Sequence, residues 1–149
     1  MARAPARTPQ SIVPYLAYDD APAAIAFLCD AFGFEELYRL EMPDGRIGHA
    51  ELGLRGNVLM LASAYPELGF ASPAKLPSVH ATLLIDVEDV DGHCARARAA
   101  GATIAAEPAE QPHGDRSYRA LDPEGHRWTF SKRVREMTPD EIRAAYGAQ

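Results

Sequence analysis

The chain switches between two hydrophobic periods, and it does so twice. Ile12-Val13-Pro14-Tyr15-Leu16-Ala17-Tyr18 is a β-rich run that stops at Asp19-Asp20. Behind it Ile25, Leu28, Cys29 and Phe32 recur at i, i+3, i+4 and i+7, which puts all four on one helix face. Asp19 or Asp20 can cap the orphan amides, Pro22 sits in the first turn where its missing donor costs nothing, and Gly33 ends the helix. Three strands are predicted next, Phe34 to Met42, Ile47 to Leu54 and Val58 to Ala62, with turns at Pro43-Asp44-Gly45 and Arg55-Gly56-Asn57. The second half repeats this order. Val79 to Val87 reads as a strand, Asp89 caps a helix whose face carries Val90, Cys94 and Ala97, and Gly101 stops it. Ala102 to Ala106, Arg116 to Leu121 and His126 to Ser131 follow as strands, the last two joined by Asp122-Pro123-Glu124-Gly125. The capping residues Asp20 and Asp89 lie 69 positions apart. Each half is therefore βαβββ, and the fold class is α+β.

These elements organise one domain over residues 11–133, with module one at about 11–64, a linker at about 65–78 that carries three prolines, and module two at about 79–133. Residues 1–10 read as a disordered tail. A C-terminal helix is expected over 138–147, because Thr138 and Glu141 have capping-box spacing and Pro139 occupies the first helical position. It either covers a sheet edge or docks on a partner subunit. Two four-stranded sheets side by side can curl into a cup lined by alternating strand residues, a shape that suits a small molecule.

Composition narrows the function. Fifteen Lys and Arg against 21 Asp and Glu give a net charge of −6, which argues against nucleic-acid binding and favours a cationic or neutral ligand. No apolar run approaches the ~20 residues of a membrane helix, and Met1 to Arg7 does not read as a secretory signal. Cys29 and Cys94 form no CxxC and fall within helical patterns, so they read as buried thiols of a cytoplasmic protein. No Gly-x-Ser-x-Gly, phosphate loop or dinucleotide fingerprint is present.

Val13-Pro14-Tyr15-Leu16 with Asp20, Ala24-Ile25 and Phe27, then Phe32-Gly33-Phe34, resembles the opening of the vicinal oxygen chelate superfamily. So does Asp122-Pro123-Glu124-Gly125-His126 before the final strand. That superfamily includes glyoxalase I, extradiol dioxygenases and bleomycin resistance proteins. His49-Ala50-Glu51-Leu52, Gly114-Asp115-Arg116 and the His126-Arg127-Trp128 strand are most similar to its PhnB-like, bleomycin-resistance-like branch. The resemblance covers residues 10 to 133 and implies a curved mixed sheet and a homodimer with two clefts formed partly between subunits. It also implies where a metal would sit: one ligand on the first and last strand of each half, usually His or Gln, Glu, His and Glu. Carried over, those positions fall on Val13, on an unspecified residue within Val58 to Ala62, on Thr82 and on Thr129. Valine has no lone pair to donate and a threonine hydroxyl is a poor ligand beside imidazole or carboxylate. No metal, cofactor or catalytic residue is assigned on this basis.

One displaced set remains. His49 and Glu51 share a strand face, and His80 shares one with Thr82; were those faces to meet, two histidines and a carboxylate would converge. Otherwise they are a polar patch, or a His–Glu pair that orders a loop. Arg116, Tyr118, Arg127 and Thr129 flank the Asp122 turn, and Arg127 with Thr129 looks into the cup. Arg127 either pairs with an anionic group of a ligand or makes a salt bridge to Asp115 or Glu51. Tyr15 either stacks on a ligand or is a core tyrosine. His93 and Asp91 are expected on the wet face of the second helix, and His113 in a solvated loop where Asp115 can orient it. The candidate ligand-binding set is thus Tyr15, His49, Glu51, His80, Thr82, Arg116, Tyr118, Arg127 and Thr129. The reading is a metal-independent protein that sequesters a cationic or aromatic metabolite or antibiotic in a dimeric cleft. The alternatives are a metal-dependent lyase, isomerase or dioxygenase using His49, Glu51 and His80, and a non-catalytic dimeric interaction module.

Overall fold

Asp20, not Asp19, caps the first helix: its carboxylate accepts from the Ala23 amide, and Gly33 closes the other end with φ 85°. In the computed structural model, which describes residues 10–148, the chain runs β1 (Tyr15–Tyr18), α1 (Ala21–Phe32), β2 (Glu35–Glu41), β3 (Ile47–Leu54) and β4 (Asn57–Ser63), then β5 (Thr82–Asp86), α2 (Val90–Ala99), β6 (Thr103–Glu110), β7 (Asp115–Leu121), β8 (Arg127–Arg133) and α3 (Pro139–Gly147). Two short 3₁₀ turns, Pro66–Leu68 and Pro73–Lys75, lie in the linker. The tail expected over residues 1–10 lies outside the described residues except for Gln10. That residue is tied down, its side-chain amide donating to the Val58 carbonyl and accepting from the Val58 amide.

The two halves make two α+β units with the same topology. One sheet is ordered β1-β4-β3-β2 and the other β5-β8-β7-β6. In each, the first strand runs parallel to the last and the remaining pairs are antiparallel. Several boundaries differ from expectation: β1 begins at Tyr15 instead of Ile12, and β8 runs from Arg127 to Arg133. β5 begins at Thr82 instead of Val79, and β6 runs through Pro108 to Glu110. A proline fits there because β6 is an edge strand whose register shifts twice, so the missing donor has no ladder partner to lose.

One core joins the halves. Ile25, Leu28 and Phe32 of α1 and Cys94 and Ala97 of α2 are buried with Leu52 and Leu61 of the first sheet and Tyr118, Trp128 and Phe130 of the second. Phe32 lies 5.3 Å from the Trp128 ring and 4.7 Å from that of Phe130, so α1 packs on both sheets. The turn before β8 locks the contact. Asp122 Oδ2 accepts from the Tyr18 hydroxyl at 2.6 Å and from Trp128 Nε1 at 3.1 Å, while Oδ1 takes the amides of Glu124 and His126. Glu124 reaches across to accept from the amides of Asp19 and Asp20 and from the Ser72 hydroxyl. Because both sheets turn their helix side to this core, their opposite sides are its outer faces. Within one chain these two faces do not meet: the sheets join through the helices and the turn, not strand on strand.

Candidate functional site

Strand register sorts the expected residues onto two outer faces. On the first sheet Tyr15, Met60, Glu51 and Tyr38 are opposite one another in a row, with His49 and Leu40 in the next. The Tyr15 hydroxyl lies 2.6 Å from His49 Nδ1, and His49 Nε2 lies 3.2 Å from a Glu51 carboxylate oxygen. A carboxylate can only accept, so Nε2 carries a proton, and in the neutral ring Nδ1 is bare and accepts from the Tyr15 hydroxyl. The phenol oxygen then turns its free lone pairs outward. Glu51 is itself buried. Burial of Tyr15, and next the field of Glu51, push its pKa above the ordinary value, so the phenol stays protonated.

Beside Tyr15 lies an open apolar hollow of about 600 Å³, walled by Leu40, Met42, Tyr65, Leu68 and Phe70. Phe70 meets the Tyr15 ring edge-on at 5.7 Å. The linker residues Tyr65, Leu68 and Phe70 were not among the expected contacts. They carry no strand or helix periodicity; a bridge between Tyr65 and Phe70, the short turn Pro66–Leu68, and Arg46, which pairs with Glu67 and lies over the Tyr65 ring, fold them over the sheet.

On the second sheet, Thr82, Arg127, Leu121 and Thr103 form one outer row, and Leu84, Thr129 and Arg119 the next. His80, Thr82 and Arg127 line a hollow of about 740 Å³, closed on one side by the proline-rich linker at Pro73 and Pro77. Thr82 donates its hydroxyl hydrogen to the Arg127 carbonyl. His80 therefore lies with Arg127 and not with His49 and Glu51. The two-histidine, one-carboxylate set does not assemble within the chain, and among the described residues no group of three His, Cys, Asp or Glu converges as a metal site.

Two expected residues stand on the other side of the sheet. Tyr118 is opposite Phe130, fully buried, and its hydroxyl meets His93 Nδ1 at 2.5 Å. Arg116 shares that helix-facing side and makes a bidentate pair with Asp91 of α2. Both belong to the core side by strand parity, which sequence alone leaves open. His93 also departs from expectation: it is half-buried against Phe32 and Tyr118 instead of facing water. Asp115, a suggested partner for Arg127, pairs with Arg133 and lies 3.7 Å from His113. His113 in turn stacks on Tyr146 of α3 and bonds its hydroxyl.

The register also fixes the fourth position that the resemblance left open. Val13 and Thr82 are 69 residues apart, and Thr129, opposite Leu84, matches Met60, opposite Tyr15, at the same offset. The four equivalent positions are thus Val13, Met60, Thr82 and Thr129. A thioether and two hydroxyls are a weak donor set for Zn, Ni, Mn or Fe.

Relatives of this chain have the same architecture. Residues 10–130 match the model of the Glyoxalase/Bleomycin resistance protein/Dioxygenase superfamily. An uncharacterised protein of Mycobacterium bovis is 38% identical over 142 residues, covering 93% of each chain. TioX from Micromonospora sp. ML1 is 33% identical with a TM-score of 0.66, over 84% of this chain and 99% of its own. A glyoxalase/bleomycin resistance protein/dioxygenase family enzyme from Burkholderia phytofirmans has the same fold at 23% identity and a TM-score of 0.65, over 82% of this chain and 97% of its own. Family model, relatives and doubled βαβββ topology agree: the chain belongs to the glyoxalase/bleomycin resistance/dioxygenase superfamily.

Proposed function

We propose that this chain is a metal-independent small-molecule binding protein of the PhnB-like, bleomycin-resistance-like type. It works in the cytoplasm, sequestering an aromatic metabolite or antibiotic that carries an ammonium or other N–H donor. The observation that carries this reading is the Tyr15–His49–Glu51 chain at the edge of an apolar hollow of about 600 Å³. The hollow takes a ring against Phe70, Tyr65 and Met42, and burying each apolar Å² contributes roughly 25 cal/mol. The outward lone pair of Tyr15 accepts a hydrogen bond from the ligand, and the carboxylate behind it favours a positive charge there. A second copy completes the cleft as a homodimer over the outer faces on which Tyr15, Leu40 and Leu84 stand exposed.

Binding is tested by isothermal titration and melting-temperature shift with cationic glycopeptides and aromatic amines, with and without divalent metals. Tyr15→Phe removes the acceptor and is expected to weaken binding about tenfold, roughly the loss of one charge-assisted hydrogen bond. Phe70→Ala should weaken it at least as much. Affinity unchanged in both variants overturns the reading.

A second reading, enzymatic turnover by a lyase, isomerase or dioxygenase, draws on the same three side chains. A tyrosine oriented by a histidine that is itself oriented by a carboxylate has the form of an acid–base relay. Turnover of the methylglyoxal–glutathione hemithioacetal, lost in His49→Gln, would favour it. The third reading, a dimeric interaction module, rests on the exposed α3 and requires the dimer to fall apart without residues 138–149.

A further inference from the structure

The outer face of the second sheet carries two arginines without a carboxylate partner among the described residues. Eight described cations have a carboxylate within 4 Å, among them Arg116 with Asp91 and Arg133 with Asp115. Lys75, Arg96, Arg119, Arg127 and Arg135 have none among the described residues, and of these Arg119 and Arg127 share one sheet face. They are neighbours: Arg127 is opposite Leu121, Arg119 is opposite Thr129, and the two lie diagonally across β7 and β8 on one face, about 7–8 Å apart at that lattice spacing. Two guanidinium groups on neighbouring positions of one face repel each other, and an anion between them is attracted by both.

The carboxylates nearest the hollow do not serve. Asp122 and Glu124 both line it, but hydroxyl, indole and amide donors hold their carboxylates in the turn, and neither forms an ion pair with Arg127 or Arg119. Asp86 is on the same face one row beyond Thr129, opposite Ser131, where its field acts on Arg133. Polar groups free to meet a guest include the two guanidinium forks, His80 and the hydroxyls of Thr103 and Thr129.

Comparison of the halves sharpens the point. Where the first sheet has Glu51 opposite Met60, the second has Arg119 opposite Thr129, so one lattice position carries an acid in one unit and a base in the other. We propose that the outer face of the second sheet is a binding site for a small organic anion, a carboxylate or a phosphate ester, clasped between Arg119 and Arg127 beside the His80–Thr82 wall. Guanidinium forks match either group bidentately, and the adjoining hollow of about 740 Å³ has room for the body of such a molecule. Within one chain the site lies on the other sheet from the aromatic hollow, and in the homodimer proposed above its face borders the same cleft.

The test uses the full chain labelled with ¹⁵N and three probes that share a ring: benzoate, phenyl phosphate and benzylammonium. The Arg119 and Arg127 Nε–H resonances are assigned by their loss in Arg119→Gln and Arg127→Gln. Both anions should shift both resonances to saturation, and benzylammonium should shift neither. Each single variant should weaken anion binding about fivefold or more, and the double variant should abolish it, with melting temperature confirming that the fold is kept. Whichever of benzoate and phenyl phosphate binds more tightly assigns the site to carboxylates or to phosphate esters. The proposal is overturned if the anions shift neither resonance or only one of them, if benzylammonium shifts them equally, or if the double variant binds as the parent does. Tyr15→Phe should leave these shifts unchanged, which separates this site from the other.

Discussion

A single protonation illustrates how a residue's surroundings set its chemistry. His93 Nε2 lies 3.0 Å from the Phe32 carbonyl, which can only accept, so that nitrogen bears the hydrogen and Nδ1 takes the Tyr118 hydroxyl. Burial pushes the His93 pKa below its ordinary value, favouring this neutral ring. Unfolding exposes an imidazole that binds a proton more readily, so the contribution is whole above about pH 6.5 and lost as pH falls through the folded value. Denaturation midpoints at about pH 7 and pH 5 should therefore fall further in the parent than in His93→Gln. At this scale the sequence was partly misleading. The sequence places Tyr118 and Arg116 at a ligand because it reveals their strand but not its parity, and one step along a strand exchanges its faces. His49 with Glu51 was legible, since residues two apart on a strand share a side whatever the register.

Helix starts were readable because capping is local chemistry. Asp20, Asp89 and Thr138 each accept from an amide two or three residues on, as their positions before apolar runs imply. The persistence of β6 through Pro108 was not readable, because only the assembled sheet makes that strand an edge. Nor were the linker aromatics over Tyr15. α3 is a further case: its capping box forms as spaced, yet none of its residues is buried. Its tie to the body is the His113–Tyr146 stack and hydrogen bond. A chain ending at residue 137 should keep its β-sheet circular dichroism signal and lose less than about 3 °C in melting temperature, as expected for a change near 1 kcal/mol. A larger loss would mean that α3 stabilises the sheet beyond this one contact.

Across the whole molecule, duplication explains most of the architecture, and the 69-residue offset made the doubled unit visible before any coordinate. What the pattern does not convey is how the two units face. They share one core through α1, α2 and Asp122, and so present their outer sheet faces separately. Asp122→Ala leaves the buried Tyr18 hydroxyl and Trp128 indole N–H without an acceptor. Each orphaned group costs about 1–3 kcal/mol, so the urea midpoint should drop by the equivalent of roughly 3 kcal/mol, and by less in Asp122→Asn. The clasp that Glu124 makes on the Asp19 and Asp20 amides and on Ser72 reaches further. Prising the units apart would strip the Asp19 and Asp20 amides from one carboxylate at once, so this contact holds the halves as one frame. A guest settling on either sheet meets walls already set in place, and little of its grip is spent on tidying the host.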